Sequence, residues 1–261
     1  MVKYKAIFFD MDGTLTNFDT HQVPQSAREA LELAKANGVK LFLATGRHPL
    51  FFQEDSPVHV LPFDAHLTAN GQFCYSGDEV IHRKHICRED KDALCALLER
   101  RPIPLLFMAE KEICVNMGGP EVERGNKALR APPLRMRESS HCLGLDLLAL
   151  LLYGGRENEE LLLSATSHCQ AVRWHPDFVD VIPADGGKHS GMDAILAHYG
   201  IALEETMAFG DAQNDLSMLE HAGLGVAMGN AADEVKAAAD DVTAAVEEDG
   251  IWRALKKWQV I

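Results

Sequence analysis

The chain has 261 residues, with 25 Lys and Arg against 39 Asp and Glu and a formal net charge of −14. That charge repels nucleic acid and anionic membranes, so a phosphorylated ligand must be met by local cations and not by the field of the whole protein. Apolar residues make up 47%, ample for a core, and no apolar run approaches the roughly 18 residues of a membrane span. The stretch before Asp10 is too short for a signal peptide, which points to the cytoplasm. The six cysteines are scattered, with no C-x-x-C pair, and read as reduced thiols rather than disulfides or a zinc site.

Taken in order, Ala6-Ile7-Phe8-Phe9 reads as a buried strand that stops at Asp10. Asp12 and Gly13 follow. Residues two apart in extended chain point the same way, so two carboxylates leave one strand end together, and Gly13 permits a sharp turn. Such a pair should split its pKa values, one carboxylate serving as nucleophile or metal ligand and the other as acid and base. A calcium loop of the EF-hand kind fails on spacing, since Leu15 and His21 stand where Gly and Glu are required.

Pro24 to Asn37 has a helical stripe, Val39 to Ala44 is a buried strand ending at Thr45-Gly46-Arg47, and a short helical pattern comes next. His66 to Ala69 is a strand ending at Asn70-Gly71, and Phe73 to Ile81 a hairpin. The texture then changes. Arg88 to Arg100 is a helix, Leu105–Ala109 and Glu112–Asn116 are strands, and Pro120 to Arg130 is a polar helix. Leu145 to Tyr153 is a strand and Glu157 to Ser167 a helix; Ala171–Trp174 and Phe178–Ile182 make a hairpin. Arg130 to Leu145 carries no readable signal. After Gly186-Gly187 the alternation resumes: helix Lys188–Tyr199, strand Thr206–Phe209, helix Gln213–Ala222, strand Leu224–Met228, helix Ala231–Ala239, strand Asp241–Thr243, helix Asp249–Trp258. The pattern is α/β: a Rossmann-like parallel-sheet core from residues 1–82 and 184–261, with an α+β unit, residues 83–183, inserted.

Four pieces fall at strand ends or a helix start: Asp10-x-Asp12-Gly13-Thr14, Thr45-Gly46-Arg47, Lys188, and Gly210-Asp211-x-x-Asn214-Asp215. That edge of a parallel sheet is where ligands bind. The inventory is carboxylates, a hydroxyl and a lysine, which suits phosphoryl transfer from a phosphate monoester.

On these pieces, in this order, the chain resembles the haloacid dehalogenase superfamily in its magnesium-dependent phosphatase branch. The tail GVAMGNAADEVKAAADDVT resembles the Cof-type subfamily, and the insertion its type IIB cap. The resemblance implies hydrolysis of small phosphorylated metabolites, foremost sugar (hexose) phosphates, with Mg²⁺ as cofactor. It implies that Asp10 attacks phosphorus to form an aspartyl-phosphate and that Asp12 protonates the leaving alkoxide and then activates water. Thr45 and Gly46 would bind phosphoryl oxygens. Lys188 would neutralise the phosphoryl group and hold Asp10, and Asn214 would lie near the phosphate. Mg²⁺ would take Asp10, Asp211 and the Asp12 carbonyl, with Asp215 acting through water or by orienting Lys188. Arg47 and Asn70 stand either as substrate contacts or as surface residues. On the cap hairpin, Arg173, Trp174, His175 and Asp180 are candidates for specificity, Trp174 being as readily core as ligand platform. A mutase of this superfamily would carry a helical cap between Asp10 and Thr45, where the gap is too short. A non-catalytic relative would have lost Asp10 or Asp12.

Overall fold

The computed structural model describes residues 3–18, 20–51, 58–129 and 131–261. Ala6–Phe9 forms β1. Ile7 and Phe9 enter one apolar cluster and Ala6 and Phe8 another, so the strand is buried on both faces, as the continuous apolar run requires. Gln25–Ala36 (α1), Lys40–Ala44 (β2) and Ala65–Thr68 (β3) follow, then the antiparallel pair Phe73–Ser76 (β4) and Glu79–Arg83 (β5). A second sheet is then built from an uninterrupted stretch of chain. Its elements are Arg88–Arg100 (α2), Leu105–Ala109 (β6), Ile113–Val115 (β7), Pro120–Leu129 (α3), Arg135–Met136 (β8), Ser139–Leu143 (α4), Leu147–Tyr153 (β9), Arg156–Ala165 (α5), Cys169–His175 (β10) and Phe178–Pro183 (β11). The chain returns to the first sheet through Lys188–Tyr199 (α6), Thr206–Gly210 (β12), Leu216–His221 (α7), Gly225–Ala227 (β13), Asp233–Ala238 (α8), Asp241–Val242 (β14) and Gly250–Lys257 (α9).

The first sheet runs β14-β13-β12-β1-β2-β3-β4-β5, parallel from β14 to β3 and antiparallel beyond. β1 is central, with Phe9 opposite Phe209 on one side and Leu43 on the other. Residues of α1 and α9 fill the cluster on one face, and residues of α6, α7 and α8 the cluster on the other. The second sheet runs β10-β11-β9-β6-β7-β8 and is antiparallel except where β7 meets β8. Among the described residues no helix is long and apolar enough to cross a membrane.

The differences from the sequence reading are local. The stretch without signal, Arg130 to Leu145, holds β8 and α4; Arg130 itself lies outside the described residues. β8 is two exposed residues and α4 only five, both too short to imprint a period. The helix expected from Gln213 begins as a 3₁₀ turn, Gln213–Asp215, because Asp215 bends back to accept hydrogen bonds from Asp211 N–H and Ala212 N–H. Of the helical pattern after Arg47, a 3₁₀ turn over Pro49–Phe51 is described, and residues 52–57 lie outside the description.

Candidate active site

Three strand ends make the floor of the site. Asp10 follows β1, its N–H donating to Phe209 O at 3.0 Å; Asp211 follows β12 and Thr45 follows β2. Parallel strands in register therefore deliver all three side chains to one sheet edge. Gly13 closes the first loop with φ +88°, and a Cβ there would lie 2.2 Å from Asp211 Oδ2. Only glycine lets the two loops meet. Thr14 Oγ1 then donates to Asp211 Oδ1 at 2.9 Å. Gly210 has the same logic, since a Cβ would lie 2.4 Å from the Cβ of Asp215.

Lys188 opens α6 and is fully buried. Its ammonium donates to Asp10 Oδ1 at 2.5 Å, Asp215 Oδ1 at 2.6 Å and Ala44 O at 2.9 Å. These contacts use all three of its protons. It therefore holds Asp10, while any contact with a phosphoryl oxygen would have to share one of these protons. Lys188 is pushed above its ordinary value, because Asp10 and Asp215 outweigh the burial that opposes its charge. Asp215 has both oxygens engaged, one on Lys188 and one on two backbone N–H groups, and so orients Lys188.

The carboxylates outnumber the cations. Asp10 is pushed up to about 8, first by burial and then by Asp215, with Lys188 opposing. Asp211 is pushed up to about 9 by burial and by Asp10 and Asp215. Asp12 is the smallest contributor to the shift of Asp10, so the strain expected between Asp10 and Asp12 lies mainly between Asp10, Asp211 and Asp215. The reason is geometric. Asp12 has turned to Arg47, whose Nε donates to Oδ2 at 2.7 Å and Nη2 to Oδ1 at 2.9 Å. Ligand atoms of Asp10, Asp211 and Asp215 all lie within 4.8 Å of one another. Four carboxylates thus face two cations, Lys188 and Arg47, leaving a deficit of two positive charges. A hard divalent cation with oxygen ligands fits that deficit and donor set. The donors are Asp10 and Asp211; Asp215 and the Asp12 side chain are committed elsewhere.

The sequence pattern of the haloacid dehalogenase-like hydrolases matches residues 7–255. The chain belongs to this family. The phosphatase is 39% identical to the subclass IIB sugar phosphatase BT4131, whose structure superposes with a TM-score of 0.91 over 98% of this chain and 100% of that one. It is 32% identical to the phosphatase BT1666 from Bacteroides thetaiotaomicron, with a TM-score of 0.90 over 99% of this chain and 96% of the other. A Bacillus subtilis (strain 168) relative, 5-amino-6-(5-phospho-D-ribitylamino)uracil phosphatase YcsE, is 29% identical over 98% of this chain and 96% of its own length.

The inserted sheet of the phosphatase covers the carboxylates. An inner pocket lies between Asp10, Asp12, Thr45, Gly46, Arg47 and Asn214 on one side and Trp174 on the other. Its volume is about 10 Å³, room for a single water. Outside it, a cavity of about 790 Å³ is lined by Phe18, His21, Arg124, Lys127, Ala128, Trp174, His175 and Asp177, with Asp12 and Arg47 at its base. Arg47 also donates to Leu129 O, at the end of α3, at 2.9 Å.

The remaining expected residues separate. Asn214 lines the inner pocket, but Asn70 does not. Asn70 is buried, donates to Asp180 Oδ2 at 2.7 Å and accepts from Asn214 Nδ2 at 3.1 Å, so it is neither a surface residue nor a lining one. Asp180 is buried too and accepts from Trp174 Nε1 at 2.9 Å. It ties the two sheets together. Burial pushes it up to about 6, with the Trp174 and Asn70 hydrogen bonds opposing. Arg173 lines neither cavity. Its guanidinium donates to the carbonyls of His175, Pro176 and Phe178 and pairs with Glu159, which fixes the hairpin. His175 lines the outer cavity and stacks on Phe178 with ring centroids 4.4 Å apart; burial lowers it below its ordinary value, with Asp177 opposing. Arg124 and Lys127 were missed by the sequence reading. Their i, i+3 spacing on the α3 helix was a usable signal for a shared cationic face.

Proposed function

We propose that the protein is a Mg²⁺-dependent phosphatase acting on small phosphorylated polyhydroxy metabolites, with hexose phosphates foremost. Residues 83–183 form the cap, and the core does chemistry common to all substrates. The reading rests on one observation: the buried cluster of Asp10, Asp211, Asp215 and Lys188, from which Asp10 reaches a pocket with room for little more than a phosphoryl oxygen.

Lys188 fixes Asp10 through Oδ1, and no described residue donates to Oδ2. The Asp10 carboxylate attacks phosphorus, the ester P–O bond breaks, and Asp12 gives a proton to the departing alkoxide. Water then attacks the aspartyl-phosphate, Asp12 takes its proton, and inorganic phosphate leaves with Asp10 restored. Asp12 can do this only if Arg47 releases one of its oxygens as the substrate enters. Thr45 and Gly46, lining the inner pocket, bind the phosphoryl oxygens. Mg²⁺ held by Asp10, Asp211 and the Asp12 carbonyl would supply charge neutralisation for the transferring group, the chief need of phosphoryl transfer.

The substrate class is supported by the outer cavity. Trp174 and Phe18 offer ring faces, and Lys127, Arg124, His175 and Asp177 offer donors and acceptors for hydroxyls. A sugar phosphatase and a phosphoribityl phosphatase among the relatives have leaving groups of that kind. The test is release of inorganic phosphate from a panel of sugar, polyol, nucleotide and amino-acid phosphates with Mg²⁺. Sugar or polyol esters should lead the panel by kcat/KM. A preference for nucleotides or phosphoserine sinks the substrate class while leaving the phosphatase.

A further inference from the structure

A second group of ligating side chains lies away from the catalytic carboxylates, where the chain passes between core and cap. Cys87 immediately precedes α2, Asp90 is in that helix's first turn, and His168 and Cys169 stand at the start of β10. The spacing in the sequence gives no zinc signature, because the two pairs are about eighty residues apart. The fold brings them together. Cys87 Sγ lies 3.7 Å from His168 Nδ1, and that nitrogen lies 3.4 Å from Asp90 Oδ1. Ligand atoms of all three fall within 4.8 Å of one another.

These separations have the size of the edges of a coordination polyhedron. With bonds of about 2.3 Å to sulfur and about 2.0–2.2 Å to nitrogen and oxygen, a tetrahedral zinc site has an S···N edge of about 3.6 Å and an N···O edge of about 3.4 Å. The ligands are also prepared. Asp90 is buried, and its oxygens accept from Ser167 N–H and His168 N–H, each at 2.9 Å, which fixes the carboxylate plane. Cys87 and His168 reach the surface, which leaves an entry path.

We propose that Cys87, Asp90 and His168 bind one divalent cation of the zinc class. Thiolate and imidazole select such an ion over Mg²⁺, which prefers the all-oxygen set of the core. The site also joins the two connections between core and cap. Cys87 lies on the segment entering the cap, and His168 O accepts from Ala184 N–H at 2.7 Å on the segment leaving it. A cation here clamps the two connections together.

The experiment uses the full chain, stripped with chelator, kept reduced, supplied with excess Mg²⁺ and titrated with Co²⁺ as an optical probe, then with Zn²⁺ as competitor. One equivalent should bind with a thiolate-to-cobalt charge-transfer band, displaced by Zn²⁺, with release of a thiol proton. Cys87→Ser/His168→Gln should weaken binding by at least about 100-fold and lose most of the band, while Asp211→Ala keeps both. Unfolding curves without Co²⁺ or Zn²⁺ check that the double variant is folded, and His168→Gln alone gives a second reading in a milder background. Absence of the band in the parent protein, or a band of equal strength and affinity in the folded double variant, overturns the site.

Discussion

The two sheets meet across the pocket between Asp10 and Trp174, and they are built on opposite terms. In the core, Asp10, Thr45 and Asp211 stand at the ends of buried parallel strands, and Lys188, Asp215, Thr14 and backbone N–H groups hold the carboxylates. Little can move without breaking a buried ion pair. In the inserted sheet, the cavity lining comes from the β10–β11 hairpin and one helix face, where the side chains of Arg124, Lys127 and Asp177 reach out from the packed strands. On the proposed reading, the chemistry that every substrate shares would be fixed by sheet packing, and selectivity would rest on the side chains lining the outer cavity.

The contrast is broken most directly at Asp10. Asp10→Asn should lower kcat by about 10⁴-fold or more on every substrate, acetyl phosphate included, with an unchanged circular dichroism spectrum. Retained turnover in protein free of contaminating phosphatase would falsify the nucleophile assignment.

Next in size is removal of the divalent cation. EDTA should silence the enzyme and Mg²⁺ restore it. The stability of the stripped protein should also carry a pH signature. Asp10 and Asp211 are raised to about 8 and about 9, so their contribution is fully present below about pH 4 and is lost as pH rises through those values. The melting temperature without divalent cation should therefore fall between pH 5 and 9, and Mg²⁺ should flatten the slope. Parallel curves with and without Mg²⁺ would place the ion elsewhere.

Asp180 tests the seam between the regions. Raised to about 6 from an ordinary value of 3.8, it contributes stability below about pH 4 that is lost as pH rises through 6, a change of up to about 3 kcal/mol. Asp180→Asn has no such titration. Its unfolding free energy, relative to the parent, should improve by up to that amount between pH 4 and 7.5. No change in the difference across that range removes Asp180 from the seam's electrostatics.

The smallest effects sharpen the comparison within the cap. Lys127→Ala should raise KM for the best sugar phosphate several-fold with kcat little changed, and leave acetyl phosphate untouched. Arg173→Ala should instead lower the melting temperature by a few degrees, because it frees three carbonyls and Glu159, and shift no substrate preference. A changed ranking of substrates by Arg173→Ala reverses the assignment of the two residues.

How much of this could be read from the chain follows from where each signal resides. Asp10 and Asp12 were visible because an apolar run ends abruptly in carboxylates. Lys188 was legible only through its order among the other pieces, since a lysine opening a helix is ordinarily solvated. Asn70 and Asp180 could not be joined from sequence: they are 110 residues apart, and their hydrogen bond exists only because cap and core close on each other. Arg173 was singled out only by its place on the hairpin before the return to the core, and chain position does not show that backbone carbonyls and Glu159 take up its guanidinium. The parallel order of the core strands followed from their alternation with helices; the β7–β8 pair had no such regularity to reveal it.

The fork of Arg47 carries a consequence for how misfits are refused. Its guanidinium spans Asp12 in the core and Leu129 O in the cap. On the proposed reading, a leaving group too bulky for the outer cavity would hold Leu129 O away from Arg47 while the phosphoryl end stays seated. Such an ester would be bound without being turned over, and would then act as a competitive inhibitor of the esters that fit.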